Sequence, residues 1–236
     1  MTRNPIIVAL DLESADQART LVKRLGGRVN FYKIGMELYA GAGVAFVREL
    51  IDEGKEVFLD LKLYDIPETV RRATVQVART GVRFLTVHAV SSVMRAAVEG
   101  RGDSGLQLLG VTVLTSFGPE DLEDLGATQT IPQLVERRAR KAVSLGIDGI
   151  VASPLDAAAL RQALGPKPIL VTPGVRSAGA AWGDQKRVAT PAAAMRDGAD
   201  YLVIGRQITR AADPAAEVDR ILMELVTPRS NIFSLP

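Results

Sequence analysis

No cysteine occurs among the 236 residues, and the only histidine is His88. Disulfides, thiolate metal sites and cysteine nucleophiles are therefore excluded, as are histidine-rich metal sites and any catalytic scheme needing two imidazoles. Aromatic residues make up only 5% of the chain, and 29 basic side chains are interleaved with 27 acidic ones for a net charge of +2. That balance offers neither a basic stripe nor an aromatic platform for nucleic acid, and suits a small or singly localised anionic ligand better. No apolar run approaches the ~20 residues of a membrane span. The run Pro5 to Leu10 is shorter than a signal-peptide core and is followed at once by Asp11. These absences predict a soluble cytoplasmic protein without nucleic-acid or membrane partners, whose chemistry rests on Asp, Glu, Lys, Arg or hydroxyl groups.

What is present is a 47% hydrophobic chain, enough for one large core. Short β-branched apolar runs recur at Ile6 to Leu10, Phe31 to Ile34, Val57 to Leu61, Phe84 to Val87, Leu108 to Leu114, Gly149 to Ala152, Ile169 to Val171 and Tyr201 to Ile204. Between them lie helix-like stretches such as Ser14 to Leu25, Glu37 to Asp52, Pro67 to Arg79, Ile131 to Ser144, Leu155 to Leu164 and Pro191 to Arg196, several closed by a glycine. Strict alternation predicts a parallel sheet, and eight such units in a chain of this length predict a (β/α)8 TIM barrel, α/β in class, as a single domain over residues 1–236. An open doubly wound sheet usually has fewer strands and a glycine-rich first turn, whereas the first turn here is Asp11-Leu12-Glu13-Ser14. The one long irregular stretch, Pro173 to Thr190, predicts an active-site lid over residues 174–190.

A barrel builds its active site at the carboxyl ends of its strands, and unusual polar residues collect there. Asp11 ends the first run, Lys33 lies at the end of the second, Asp60 and Lys62 end the third, and His88 ends the fourth. Thr115 and Ser116 end the fifth, Pro173 to Arg176 follow the seventh, and Gly205-Arg206 follow the eighth. In Glu56 to Leu63 the two-residue period of a strand sets Phe58, Asp60 and Lys62 on one face and Val57, Leu59, Leu61 and Leu63 on the other. Lys33 beside Asp60 and Lys62 would complete an alternating ion network. Each position also has a plainer reading: Asp11 as a helix cap in competition with Ser14, Lys33 as a stem crossing the barrel mouth, His88 as a hydrogen-bonded core residue, Thr115 and Ser116 as partners for strand-end backbone. Gly205-Arg206 has the chemistry of a phosphate grip, glycine for close backbone approach and arginine for a planar fork of donors, with Gln185 or Arg176 able to reach the same anion.

The segment Asp60-x-Lys62-x-x-Asp65-Ile66-Pro67-x-Thr69, with Val8-Ala9-Leu10-Asp11, Tyr32-Lys33-Ile34-Gly35, Leu114-Thr115-Ser116, Thr172 to Arg176, Asp184 to Arg187 and Ile204-Gly205-Arg206 in order, resembles the orotidine 5′-monophosphate decarboxylase family across nearly the whole chain. The resemblance implies cofactor-free, metal-free loss of CO2 from a pyrimidine nucleotide to give uridine 5′-monophosphate. In that reading Lys62 stabilises the carbanion at C6 and protonates it, with Asp60, Lys33 and the neighbouring subunit's Asp65 completing the catalytic group. Asp11 and Lys33 hold the ribose hydroxyls, Ser116 with Thr115 the pyrimidine amide, and Gln185, Gly205 and Arg206 the phosphate, while Arg176 braces lid or phosphate. Asp65, Ile66 and Thr69 reach the partner's site, which implies a homodimer. The tip from Ser177 to Trp182 departs from the family's pattern. The Asp-x-Lys-x-x-Asp element also resembles magnesium-dependent 3-keto-L-gulonate 6-phosphate decarboxylases and hexulose-phosphate synthases, which usually carry a carboxylate where this chain has Lys33. Two alternatives stand beside the main reading: a metal-dependent sugar-phosphate decarboxylase or aldolase, and a non-catalytic phosphosugar or nucleotide sensor.

Overall fold

The computed structural model describes residues 4–124, 126–177 and 189–226. Strands β1 (Ile6–Ala9), β2 (Phe31–Gly35), β3 (Glu56–Leu63), β4 (Phe84–His88), β5 (Gln107–Val111), β6 (Gly149–Val151), β7 (Ile169–Pro173) and β8 (Tyr201–Ile204) close into a barrel in chain order. Every neighbouring pair is parallel, and β8 returns to β1 through Ile6 opposite Leu202. Helices α1 (Ala15–Leu25), α2 (Met36–Asp52), α3 (Pro67–Ala78), α4 (Ser91–Arg101), α5 (Pro119–Asp124), α6 (Ile131–Ser144), α7 (Ala157–Leu164), α8 (Pro191–Arg196), α9 (Arg206–Thr209) and α10 (Pro214–Val226) lie between and after the strands. None of the described helices is long and apolar enough to cross a membrane.

Both faces of the strands are buried, which is why they read as near-continuous apolar runs. Alternate residues divide between two cores: Ile7, Ala9, Phe31, Phe58, Phe84, Leu109, Val171, Tyr201 and Val203 fill the barrel, and Val8, Tyr32, Val57, Leu59 and Leu85 join the layer between barrel and helices. The barrel floor is aromatic. Phe31, Phe84 and Tyr201 stand with centroids 5.1–5.7 Å apart, and the Arg83 guanidinium lies over all three rings at 5.1–5.5 Å. Arg83 also donates to Glu56 at 2.7 Å and to the Tyr201 hydroxyl at 2.9 Å, so its charge is paired at the floor.

Two glycines permit close packing. A Cβ on Gly100 would stand 2.3 Å from the Arg71 carbonyl oxygen, which explains how α4 approaches α3 so tightly, and one on Gly149 would stand 2.5 Å from the Ile169 carbonyl oxygen.

The expected run Leu108 to Leu114 stops pairing at Val111, because its neighbour β6 ends opposite it at Val151 and the chain then turns into a short 3-10 segment, Pro154–Asp156. That same turn shortens the expected helix Leu155 to Leu164 at its start. Helices α4, α5, α9 and α10 are not among the expected stretches. The buried stripe of α4 is made largely of small residues, Ala96, Ala97 and Gly100 beside Val93 and Met94. Of the expected lid, Val175 forms a parallel bridge with Ala189 and the Arg176 N–H donates to the Ala189 carbonyl at 3.0 Å. Residues 178–188 lie outside the described residues.

Candidate active site

At the carboxyl face of the barrel a cavity of about 770 Å³ is lined by Asp11, Lys33, Asp60, Lys62, Thr115, Arg176, Gly205 and Arg206. The local fold of β3 puts two charged residues there. Pairing with β4 slips between Leu59, opposite Leu85, and Leu63, opposite Val87, so β3 carries extra residues in a bulge. Lys62 sits in that bulge with φ 49°, the only non-glycine residue with positive φ among the described residues. Left-handed backbone at a long side chain costs on the order of 1 kcal/mol and persists only where surrounding structure enforces it. Phe58, Asp60 and Lys62 all reach the cavity, while Val57, Leu59, Leu61 and Leu63 belong to the outer apolar layer.

The charges alternate along β1, β2 and β3. The Lys33 ammonium donates to Asp11 Oδ1 at 2.8 Å and lies 3.6 Å from Asp60 Oδ2, and the Lys62 ammonium donates to Asp60 Oδ1 at 2.9 Å. Asp60 and Lys33 are largely withdrawn from water, with side chains 14% and 10% exposed, whereas Asp11 is 57% exposed. Burial by itself pushes the Asp60 carboxyl up, but the Lys33 and Lys62 ammonium groups and hydrogen bonds from Lys62 and Thr86 outweigh it and hold the group below the usual carboxylate value. Asp60 is thus a fixed anion between two cations. Asp11 takes part in this network, and Ser14 caps α1 by accepting from the Gln17 N–H.

Beside Asp11, after β8, Gly205 immediately precedes the first residue of α9, Arg206. Arg176 is buried and donates to the Val175 carbonyl at 2.8 Å. The root of the long loop is braced by Gln207, which accepts from the Ser177 N–H at 3.1 Å and donates to Ser177 Oγ and to Glu217.

Other expected site residues lie apart from this chain's cavity. Ser116 is exposed and does not line it, although Thr115 does. Asp65, Ile66 and Thr69 are exposed beyond the end of β3, with the Asp65 carboxylate accepting from the Ile66 N–H at 2.6 Å, and none of the three lines the cavity. Gln185 lies outside the described residues. His88, expected as a hydrogen-bonded core residue, is half-buried and makes a tilted ring contact with Tyr64 at 5.3 Å. Burial, with Lys62 and Arg138 nearby, pushes its imidazole below the ordinary histidine value, so it is neutral at pH 7.

Residues not singled out in the sequence also meet here. Glu37 and Arg210 line the cavity, and Thr86, fully buried on β4, bonds to both Asp60 and Lys62. Thr86 was legible in principle: two residues beyond Phe84 it must face the barrel interior, where a hydroxyl needs a polar partner.

The fold and this mouth define a class: a (β/α)8 barrel with a lysine–aspartate network on strands β1 to β3 and an arginine at the start of the helix after β8. Residues 4–221 match the orotidine 5′-phosphate decarboxylase / HUMPS family, and the chain belongs to that family. It is 52% identical over 225 residues to an orotidine 5′-phosphate decarboxylase of Nitrobacter winogradskyi, covering 95% of this chain and 94% of that protein. It is 51% identical over 223 residues to the one of Rhodopseudomonas palustris strain HaA2, covering 94% and 95%. The crystal structure of orotidine 5′-phosphate decarboxylase from Lactobacillus acidophilus superposes with a TM-score of 0.84 at 35% identity, covering 95% of this chain and all of that one.

Proposed function

We propose that the protein converts orotidine 5′-monophosphate to uridine 5′-monophosphate and CO2 in cytoplasmic pyrimidine nucleotide synthesis, without a cofactor. The observation that carries this reading is the Lys62 ammonium, held 2.9 Å from an ionised Asp60 inside the cavity. When the bond from C6 to the carboxylate breaks, its electron pair stays on C6, where no neighbouring carbonyl delocalises it well. A fixed cation aimed at that carbon stabilises the transition state more than the ground state. The Lys62 ammonium then gives a proton to C6, CO2 departs, and the amine regains a proton from water. Asp60 orients Lys62, and Lys33 with Asp11 holds Asp60 and the ribose hydroxyls. Thr115 and Ser116 take the pyrimidine amide, and Gly205, Arg206, Arg176 and Gln185 take the phosphate, over which segment 174–190 closes as a lid.

The family's name covers a second branch, and Lys33 favours the first. An ammonium between Asp11 and Asp60 occupies the place where a divalent ion would need a ligand, and it repels such an ion. The direct test is the fall in ultraviolet absorbance as orotidine 5′-monophosphate becomes uridine 5′-monophosphate, measured before and after chelation. Equal rates are expected; activity that vanishes with chelator would support the metal-dependent reading, and tight uridine 5′-monophosphate binding without turnover would support a sensor.

The same proposal includes a homodimer with shared sites. What supports it is the position of Asp65, Ile66 and Thr69, exposed and outside their own chain's cavity, beside a 68% exposed Tyr64 and with Ile66 67% exposed. A solution mass of two 25.3 kDa chains is expected, with Ile66→Asp giving monomers of low activity. A fully active monomer would remove this part of the reading.

A further inference from the structure

Lys62 and Asp60 are tied together twice, once by their charges and once through β4. The Thr86 hydroxyl accepts from the Lys62 backbone N–H at 2.9 Å and donates to Asp60 Oδ1 at 2.9 Å, the same oxygen that receives the Lys62 ammonium. Thr86 is fully buried, so no solvent water competes for these bonds. The bulge in β3 is what creates the need. Where pairing between β3 and β4 slips, the N–H of Lys62 points at β4 with no strand carbonyl in register, and the Thr86 hydroxyl satisfies it. The hydroxyl's single proton is then committed to the carboxylate.

We propose that Thr86 is a positioning residue for the decarboxylation proposed above: one buried hydroxyl holds the left-handed backbone of Lys62 and the carboxylate of Asp60 in a fixed mutual geometry. It touches no substrate atom. Its contribution is to keep the ammonium from following a mobile carboxylate, since a charged group displaced by even 1 Å loses much of its value at a developing charge. The groups facing Asp60 are Lys33 from β2, itself bonded to Asp11, Lys62 on β3 and Thr86 on β4, with His88 near Lys62 at the end of β4. Among these Thr86 is the uncharged donor that reaches both partners.

The test compares Thr86→Val, which keeps the shape and removes the hydroxyl, with Thr86→Ser, which keeps the hydroxyl. In the full-length protein Thr86→Val is expected to lower kcat about ten- to a hundredfold, the range set by losing a hydrogen bond to a charged group, while KM changes little. The acid limb of its kcat profile moves to higher pH, because the Asp60 carboxylate has lost a donor that favours its ionised form. Thr86→Ser retains wild-type kcat and limb. A merely structural threonine would instead lower thermal stability and leave the limb where it is. Wild-type kcat and an unmoved limb in a folded Thr86→Val protein would overturn the inference, as would a serine variant as impaired as the valine one. If the valine variant does not fold, Thr86→Ala takes its place with the same expected losses. Absence of turnover in the wild type would instead sink the decarboxylase reading itself, so the two failures are distinguishable.

Discussion

Lys62→Ala is expected to lower kcat by roughly four orders of magnitude or more, about 5.5 kcal/mol of transition-state stabilisation. One fixed electrostatic partner of a developing charge accounts for about a hundred- to a thousandfold, and a positioned proton donor for a further factor of about a hundred or more. The fold survives the change. Asp60 keeps Lys33 at 3.6 Å and the Thr86 hydroxyl at 2.9 Å, so no buried carboxylate is left unpartnered. Steady-state turnover together with a thermal melt checks both halves of the expectation. Near-normal turnover by a folded alanine variant would remove Lys62 from the chemistry and leave the proposed mechanism without its cation.

The second large effect lies after β8. Arg206→Ala removes a guanidinium that fits a phosphate bidentately, and the expected loss in kcat/KM for orotidine 5′-monophosphate is roughly a hundredfold, from one or two charge-assisted bonds. The same variant should act on the phosphate-free nucleoside almost as the wild type does. That contrast makes the measurement specific: a merely destabilised barrel loses activity on both substrates, whereas a lost phosphate contact spares the one that never had the phosphate. Equal losses would place Arg206 in the architecture and not in the grip.

The strands were legible because a barrel strand is buried on both faces, and the run Tyr201 to Ile204 reads as strand without any alternation to interpret. Their ends were less so. Whether Thr112 to Leu114 continue a strand depends on where β6 turns away, a fact about a neighbour some forty residues on and not about the threonine or leucine. Asp60 and Lys62 stood out because charge after Phe58 and Leu59 is costly unless it is paired and used. Period-two reasoning set their side chains on the correct face, yet nothing local announces the bulge that gives Lys62 its φ of 49°, since the slip is a property of two strands together. Thr86 is harder to read for a related reason: a threonine in Phe84 to His88 is ordinary β-forming sequence, and its value lies in what stands across from it.

Arg83, clasped by three rings and Glu56, sets a paired charge at the end of the barrel away from the cavity. If the proposed reaction runs in the cavity at the carboxyl face, nucleotide and gas leave past the same residues. Carbon dioxide, the smaller passenger, would then have to slip past or wait behind the bound pyrimidine. On that reading, a tighter hold on the phosphate also lengthens the queue.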